Sequence, residues 1–292
     1  YCLSHLPHQP VPKSPPLPPL RSPSPNPQLQ ATSSCLSDEV QLLHEMSSLH
    51  LHKVAFPRGL VGGRTRWALP NWQQLTSDTE VLTIVSGYMI PLIDTPPLST
   101  GFSPKFSKAE TEEVSQVVAE MVSKKAVVRV TEAVNQHVAH IFLRPKKDGS
   151  SRPVFNLKKL NMNVEYLHFK MDGMPLVRNL LQKDDWLLKI DLKDAYFCIP
   201  IHPKHQKLLR FYWEGALFQY TCLPFGLASA PRAFTKALKP VVSFLRRIGI
   251  RIVIHLDDML LMNQDPNRLV QEGKMTCHLL EALGFIVNKK KS

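Results

Sequence analysis

Three carboxylates stand where carboxylates are costly. Asp191 closes the apolar run Leu187-Leu188-Lys189-Ile190-Asp191-Leu192. Asp257-Asp258 lies between Ile252-Val253-Ile254 and Met259-Leu260-Leu261, flanks too apolar for a surface, which puts the pair at a hairpin tip. Adjacent charges between buried strands need a compensating cation. If the two strands are neighbours, Asp191 joins the pair, and oxygen ligands of this kind suit magnesium. Two such ions can activate a hydroxyl and stabilise a leaving pyrophosphate in an in-line displacement. Taken alone, an Asp-Asp pair is far more often a plain polar turn.

The elements that must hold these residues read as α+β. A strand is expected at 186–191, a hairpin from 208–213 and 217–222, and a helix from about 229 to 247. A second hairpin, 251–256 with 259–262, turns on Asp257-Asp258, and a last helix over 266–283 ends at Gly284, a suitable C-cap. Upstream, 107–124 reads as a helix with Ser107 as N-cap and Val114, Val117, Val118 and Met121 as its buried stripe. A strand pair follows at 139–144 and 153–156, joined by the turn Lys147-Asp148-Gly149-Ser150.

The chain has 292 residues and a net charge of +12, which points to a polyanionic partner or an anionic surface. No run reaches the length of a membrane span, so no membrane partner is expected. Five cysteines without C-x-x-C spacing read as reduced thiols of an intracellular protein, in nucleus or cytoplasm, rather than a disulfide framework or zinc site. Ten of the 25 prolines fall in the first 30 positions, so 1–34 is expected to be a disordered tail. A short helix is expected from Ser37, and 35–100 reads as a small pre-domain and linker of its own. The third region, 101–292, holds the chemistry. With Tyr1 first and no signal segment, the chain reads as a fragment.

The blocks around the carboxylates are specific. Leu188-Lys189-Ile190-Asp191-Leu192-Lys193-Asp194-Ala195-Tyr196-Phe197 is followed by Leu223-Pro224-Phe225-Gly226-Leu227-Ala228-Ser229-Ala230-Pro231. Then come Ile254-His255-Leu256-Asp257-Asp258-Met259-Leu260 and Leu283-Gly284-Phe285 with Lys289-Lys290-Lys291. Before them stand Leu143-Arg144-Pro145-Lys146-Lys147-Asp148-Gly149, Arg152-Pro153-Val154 and Leu160-Asn161. In this order, over about 104–292, the blocks resemble the motifs of reverse transcriptases. Leu223-Pro224-Phe225-Gly226-Leu227 resembles retrotransposons more than retroviruses. Val61-Gly62-Gly63-Arg64, Leu69-Pro70-Asn71-Trp72, Leu75-Thr76-Ser77-Asp78 and Val81-Leu82 resemble the segment before the polymerase in DIRS-like elements, which pair it with a tyrosine recombinase.

That resemblance implies a right-hand polymerase fold, fingers and a ferredoxin-like palm, with the thumb and the RNase H and recombinase regions expected downstream of this chain. It implies RNA-directed DNA synthesis from dNTPs on an RNA or DNA template-primer, with Mg2+, or Mn2+ in its place. Asp191, Asp257 and Asp258 match the catalytic metal-binding triad, the first two binding most directly. Lys146 (or its neighbour Lys147) and Arg152 match residues that contact the incoming triphosphate. Tyr196 matches the aromatic gate that leaves no room for a 2′-hydroxyl, and Asp194 and Ala195 line the sugar and phosphate pocket. Phe225 and Gly226 match positions against the nascent base pair, and Lys290 or Lys291 the lysine that protonates pyrophosphate. His255 and Leu256 match the primer contact, with His255 where the family usually has tyrosine.

Each residue also has a plain reading. Tyr196 alone would be core, the basic stretch 143–160 a solvated hairpin, and the three lysines a solvated tail. His137/His140 and His202/His205 read as surface residues rather than zinc ligands. Two rival functions follow from the same motifs. One is an inactive or domesticated relic that holds nucleic acid without copying it. The other is an RNA-copying polymerase of the same architecture, against which Tyr196 argues.

Overall fold

The computed structural model describes residues 49–94, 99–100, 105–145 and 151–292, with backbone alone at 99–100, 145 and 151–152. All of these belong to one compact unit, Leu42–Ser292. The proline-rich tail, the helix expected from Ser37 and the turn at 147–150 lie outside the described residues. The strands are β1 (Ser99–Thr100), β2 (Val127–Val130), β3 (His137–Ala139), β4 (Ile141–Pro145), β5 (Ser151–Phe155), β6 (Trp186–Asp191), β7 (Arg210–Trp213), β8 (Ala216–Tyr220), β9 (Arg251–His255) and β10 (Asp258–Asn263). The α-helices are α1 (Leu69–Leu75), α2 (Thr79–Gly87), α3 (Lys108–Ser123), α4 (Lys158–Asn161), α5 (Met174–Leu180), α6 (Pro203–Gln206), α7 (Ala230–Arg247) and α8 (Pro266–Ala282). None of them is long and apolar enough to cross a membrane.

One antiparallel sheet, in the order β6-β10-β9, carries the three aspartates. Helices α7 and α8 cover one of its faces, α7 over β9 and α8 over β6 and β10. Alternation along β10 sends Met259 and Leu261 into that covered face. The apolar stripe of α7 (Ala233, Phe234, Ala237, Leu238, Val241 and Leu245) packs beneath. The stripe holds α7 together through Pro240, a residue that inside a helix costs about 3 kcal/mol. Asp265 opens α8 by accepting the N–H groups of Asn267 and Arg268, with Pro266 in the first turn. The expected helix at 107–124 is α3, closed by a capping box in which Ser107 and Glu110 exchange side-chain to backbone bonds.

A second sheet, in the order β1-β3-β7-β8-β2, mixes parallel and antiparallel pairs, and β4 pairs with β5 as a separate ribbon. The expected hairpin at 208–222 is β7–β8. Its enlargement into a five-stranded sheet was not legible, because β1, β2 and β3 are only two to four residues long. Residues 49–94 do not stand apart as a small domain. Trp72, Val81, Ile84 and Val85 belong to the same core as Ile190, Leu261 and Phe285. Gly62 shows how tightly this segment docks: a Cβ there would lie 2.2 Å from the Lys125 carbonyl oxygen. Its own N–H bonds the Lys124 carbonyl at 2.9 Å.

Candidate active site

The sheet register sets the geometry. Asp191 pairs with Asp258 across β6 and β10, and Asp258 pairs with His255 across β10 and β9. The turn between β9 and β10 is therefore Leu256-Asp257, one residue earlier than the expected Asp257-Asp258, and Asp258 is the first residue of a strand. Leu256 takes the left-handed conformation at φ 55°, uncommon for a leucine and a place where strain is held by its surroundings. The Leu192 N–H reaches the Asp257 carbonyl at 3.0 Å, so all three aspartates meet at one end of one sheet.

The other edge of β6 is held by the segment after α8. Leu192 bridges Val287, Lys193 N–H donates to the Ile286 carbonyl at 2.8 Å, and Asn288 N–H donates to the Asp191 carbonyl at 2.8 Å. The Asp191 N–H donates to Ser292 Oγ at 3.1 Å. With both its backbone groups turned away from β10, Asp191 forms a non-hydrogen-bonded pair with Asp258, the type with Cα atoms about 4.5 Å apart and side chains closest. Leu187, Lys189 and Asp191 alternate onto the face that the helices leave open, where Leu187 is 55% exposed. Asp191 itself is only 8% exposed, while Asp257 and Asp258 are exposed.

Partners divide the three carboxylates. Asn288 Nδ2 donates to Asp191 Oδ1 at 2.7 Å. Lys189 Nζ lies 2.9 Å from Asp258 Oδ1, and that carboxylate raises the pKa of Lys189. Among the described residues no three His, Cys, Asp or Glu side chains are gathered closely enough to hold an ion. The donor chemistry still fits a hard divalent cation: carboxylates from two adjacent strands and the adjoining turn, one of them already facing an ammonium.

Tyr196 lies in a short 3-10 turn, Ala195–Cys198, just after β6. Its ring is half-buried, edge-on to Phe225 at 5.0 Å and Phe234 at 5.1 Å between centroids. Burial, and then the charge of Asp257, push its phenol up to about 12. Phe225 is 58% exposed, and Gly226 is left-handed at φ 91°. Asn161 clamps that loop, donating to the Gly226 carbonyl at 2.8 Å and accepting the Ala228 N–H at 2.9 Å. Between the loop and the β4–β5 ribbon lies an open cavity of about 490 Å³, lined by Phe142, Arg144, Asn156, Lys158 and Gly226 among others.

The remaining expected site residues are less gathered. Asp194 is left-handed at φ 51° and its carboxylate bonds Lys124 Nζ at 2.9 Å. Its Oδ1 is thus engaged by a partner 70 residues away, while its other oxygen, Oδ2, is buried without a hydrogen-bond partner among the described residues. Ala195 is buried. His255 is exposed, with Nδ1 3.1 Å from the Asp172 carbonyl oxygen. Lys290 and Lys291 are exposed on the turn that starts at Asn288. Lys146 and Lys147 lie outside the described residues, and Arg152 is described only as backbone, paired with Arg144. Of the four histidines expected at the surface, His137 is buried with Nδ1 facing the Leu208 carbonyl, whereas His140, His202 and His205 are half-buried, His205 Nδ1 accepting the Ile90 N–H. Cys198 and Cys222 are free and buried, and burial pushes the Cys198 thiol up to about 12. Sequence reasoning missed Asn288 altogether and gave Asn161 and Lys189 no role.

Residues 144–292, just over half of the chain, match the family described as reverse transcriptase (RNA-dependent DNA polymerase). The chain belongs to that family. Among curated proteins, this reverse transcriptase chain is similar to the transposon Tf2-3 and Tf2-4 polyproteins of Schizosaccharomyces pombe. It is 25% identical to each over 215 residues, covering 73% of this chain but 15% of theirs. Among solved structures it is similar to the prototype foamy virus protease-reverse transcriptase. The native form has a TM-score of 0.59 at 19% identity, over 92% of this chain and 33% of that one. The CSH mutant gives a TM-score of 0.60 at 17% identity, over 85% and 32%. These two likenesses speak to the fold. The chain thus spans about a seventh of the curated relatives' length and a third of the viral chain's.

Proposed function

We propose that this chain carries the nucleotide-adding centre of a retrotransposon reverse transcriptase, extending a primer 3′-hydroxyl with deoxynucleotides on an RNA or DNA template. The observation that carries the reading is the register that seats Asp191 opposite Asp258, with Asp257 in the adjoining turn. The β6-β10-β9 sheet with α7 and α8 is then the ferredoxin-like palm, and the β4–β5 ribbon belongs to the fingers. Asp191 and Asp257 would hold Mg2+, or Mn2+ in its place, most directly, with Asp258 in support. Divalent ions bound there would supply Lewis-acid activation of the primer hydroxyl and the leaving pyrophosphate.

The chain's own side chains do the rest. Lys189 neutralises the Asp258 carboxylate. The Tyr196 ring, braced by Phe225 and Phe234, excludes a ribose 2′-hydroxyl by contact. Phe225 and Gly226 face the nascent base pair, and Asn161 fixes their loop. Lys146, Arg152 and Lys290 meet the triphosphate, and Lys291 gives a proton to pyrophosphate. His255 and Leu256 meet the primer end. Asp194, held by Lys124, borders the sugar through its backbone and that of Ala195. A groove lined by Lys170, Lys239 and Arg246 among others offers cations to the template-primer backbone. The 61–82 segment supports a DIRS-like element, with RNase H and recombinase activities in the same assembly.

The relic reading keeps one observation in its favour, the Lys189–Asp258 ion pair beside a histidine in the usual tyrosine position. Metal-titrated primer extension with this chain separates the two. Extension with dNTPs should be abolished by Asp257→Asn, because a metal-ligand charge is removed. Template binding without extension would select the relic, and extension indifferent to Asp257→Asn would overturn the site.

A further inference from the structure

We infer that Asn288 is a positioning residue for Asp191: its amide fixes one carboxylate oxygen and leaves the other to a divalent cation. This rests on the metal-centre reading above. Asp191 is almost buried, so water contributes little to holding its carboxylate, whose terminal torsion is otherwise broad. The Asn288 amide supplies the missing partner at 2.7 Å. A carboxylate can only accept here, so the group it meets is the amide NH2. Being neutral, that donor orients the carboxylate without competing for its charge. Lys189 does the opposite at Asp258, where its ammonium is a rival for any incoming cation.

Asn288 is itself preorganised. Its N–H is committed to the Asp191 carbonyl, and its carbonyl accepts from Ser292 Oγ at 2.8 Å and from Lys291 N–H at 3.1 Å. Ser292 Oγ in turn accepts the Asp191 N–H. The turn therefore closes on Asp191 from both ends, and the side-chain bond is separate from the backbone bonds that hold it. Removing the amide leaves the local fold with its own supports. Groups that orient a metal ligand in this way are worth about 10- to 100-fold in metal affinity.

The test is Mn2+ binding to the whole chain, followed by electron paramagnetic resonance well below the melting temperature, alongside the metal-free melting curve. Asn288→Ala removes the amide, and Asn288→Leu removes it while keeping its volume. Both should raise the Mn2+ concentration at half-saturation about tenfold. Half-saturation within about twofold of the parent for both variants, whatever their melting temperatures, would overturn the inference and leave Asn288 a structural residue. Asp191→Asn separates the two levels. If it weakens binding and neither Asn288 variant does, only this inference falls. If the parent binds no Mn2+, or Asp191→Asn leaves binding intact, the metal-centre reading falls and this inference with it.

Discussion

Tyr196 sits within reach of the Asp257 charge while its ring is wedged between Phe225 and Phe234. Such a ring can be trimmed without emptying the deep core, because it is only half-buried. Tyr196→Val should raise ribonucleotide over deoxyribonucleotide incorporation by about tenfold or more, since a steric penalty is removed rather than a bond. Competition of rNTP against dNTP in primer extension checks this, and an unchanged ratio would make Tyr196 a packing residue. With its phenol at about 12, the hydroxyl stays protonated across the working range, so Tyr196→Phe should leave the pH profile unaltered. At this scale the aspartates were legible because a charge between apolar runs demands an explanation. Asn288 and Asn161 were not, because a neutral amide fits any surface turn and only a fold reveals what it touches. The Lys124–Asp194 ion pair hid for a different reason, the 70 residues that separate its members.

Element boundaries were legible where capping chemistry is written in the chain. Ser107 marked the start of α3 and Pro266 that of α8 to within a residue, while the Asp265 cap of α8 came to light only in the fold. The β9–β10 turn slipped by one because Asp-Asp looks more turn-like than Leu-Asp, while cross-strand pairing decides the register. Helix α8 carries one feature that no motif announces. Glu272 is fully buried, accepting from Asn263 Nδ2 at 2.9 Å and Arg268 Nε at 3.2 Å on the same oxygen. Burial outweighs those bonds and raises its pKa above the ordinary glutamate value. The fold therefore favours the protonated form. That contribution is complete below the unfolded-state pKa and is lost as pH rises through the folded one. Glu272→Gln should melt higher than the parent at neutral pH, with the gap closing as the solution is acidified below the ordinary glutamate range. Melting temperatures of both proteins from pH 4 upward would show it, and a gap that widens in acid would reverse the assignment.

The molecule as a whole ties its first described segment to its chemistry through Trp72 and its neighbour Asn71. Trp72 is completely buried, edge-on to Phe285 at 6.1 Å, and its Nε1–H donates to the Leu283 carbonyl at 3.0 Å. Phe285 leads directly into residues 286–288, which bond the backbone of 191–193 beside Asp191. Asn71 adds a second tie, its amide donating to the Ala282 carbonyl at 2.8 Å. Sequence reading took this region for a separate piece because proline and glycine punctuate its edges, and a contact across 211 residues leaves no periodic trace. Trp72→Ala should therefore destabilise the entire chain by about 3–5 kcal/mol, the usual cost of emptying a buried aromatic site. Trp72→Phe keeps most of the apolar contact but leaves the Leu283 carbonyl without its donor, a cost of about 1–3 kcal/mol. Urea unfolding followed by both fluorescence and circular dichroism measures the two. A single shifted transition, larger for alanine than for phenylalanine, is expected if the segment and the sheet share one core. A loss under about 1 kcal/mol for Trp72→Ala, or a separate early transition, would return residues 49–94 to the status of an independent piece.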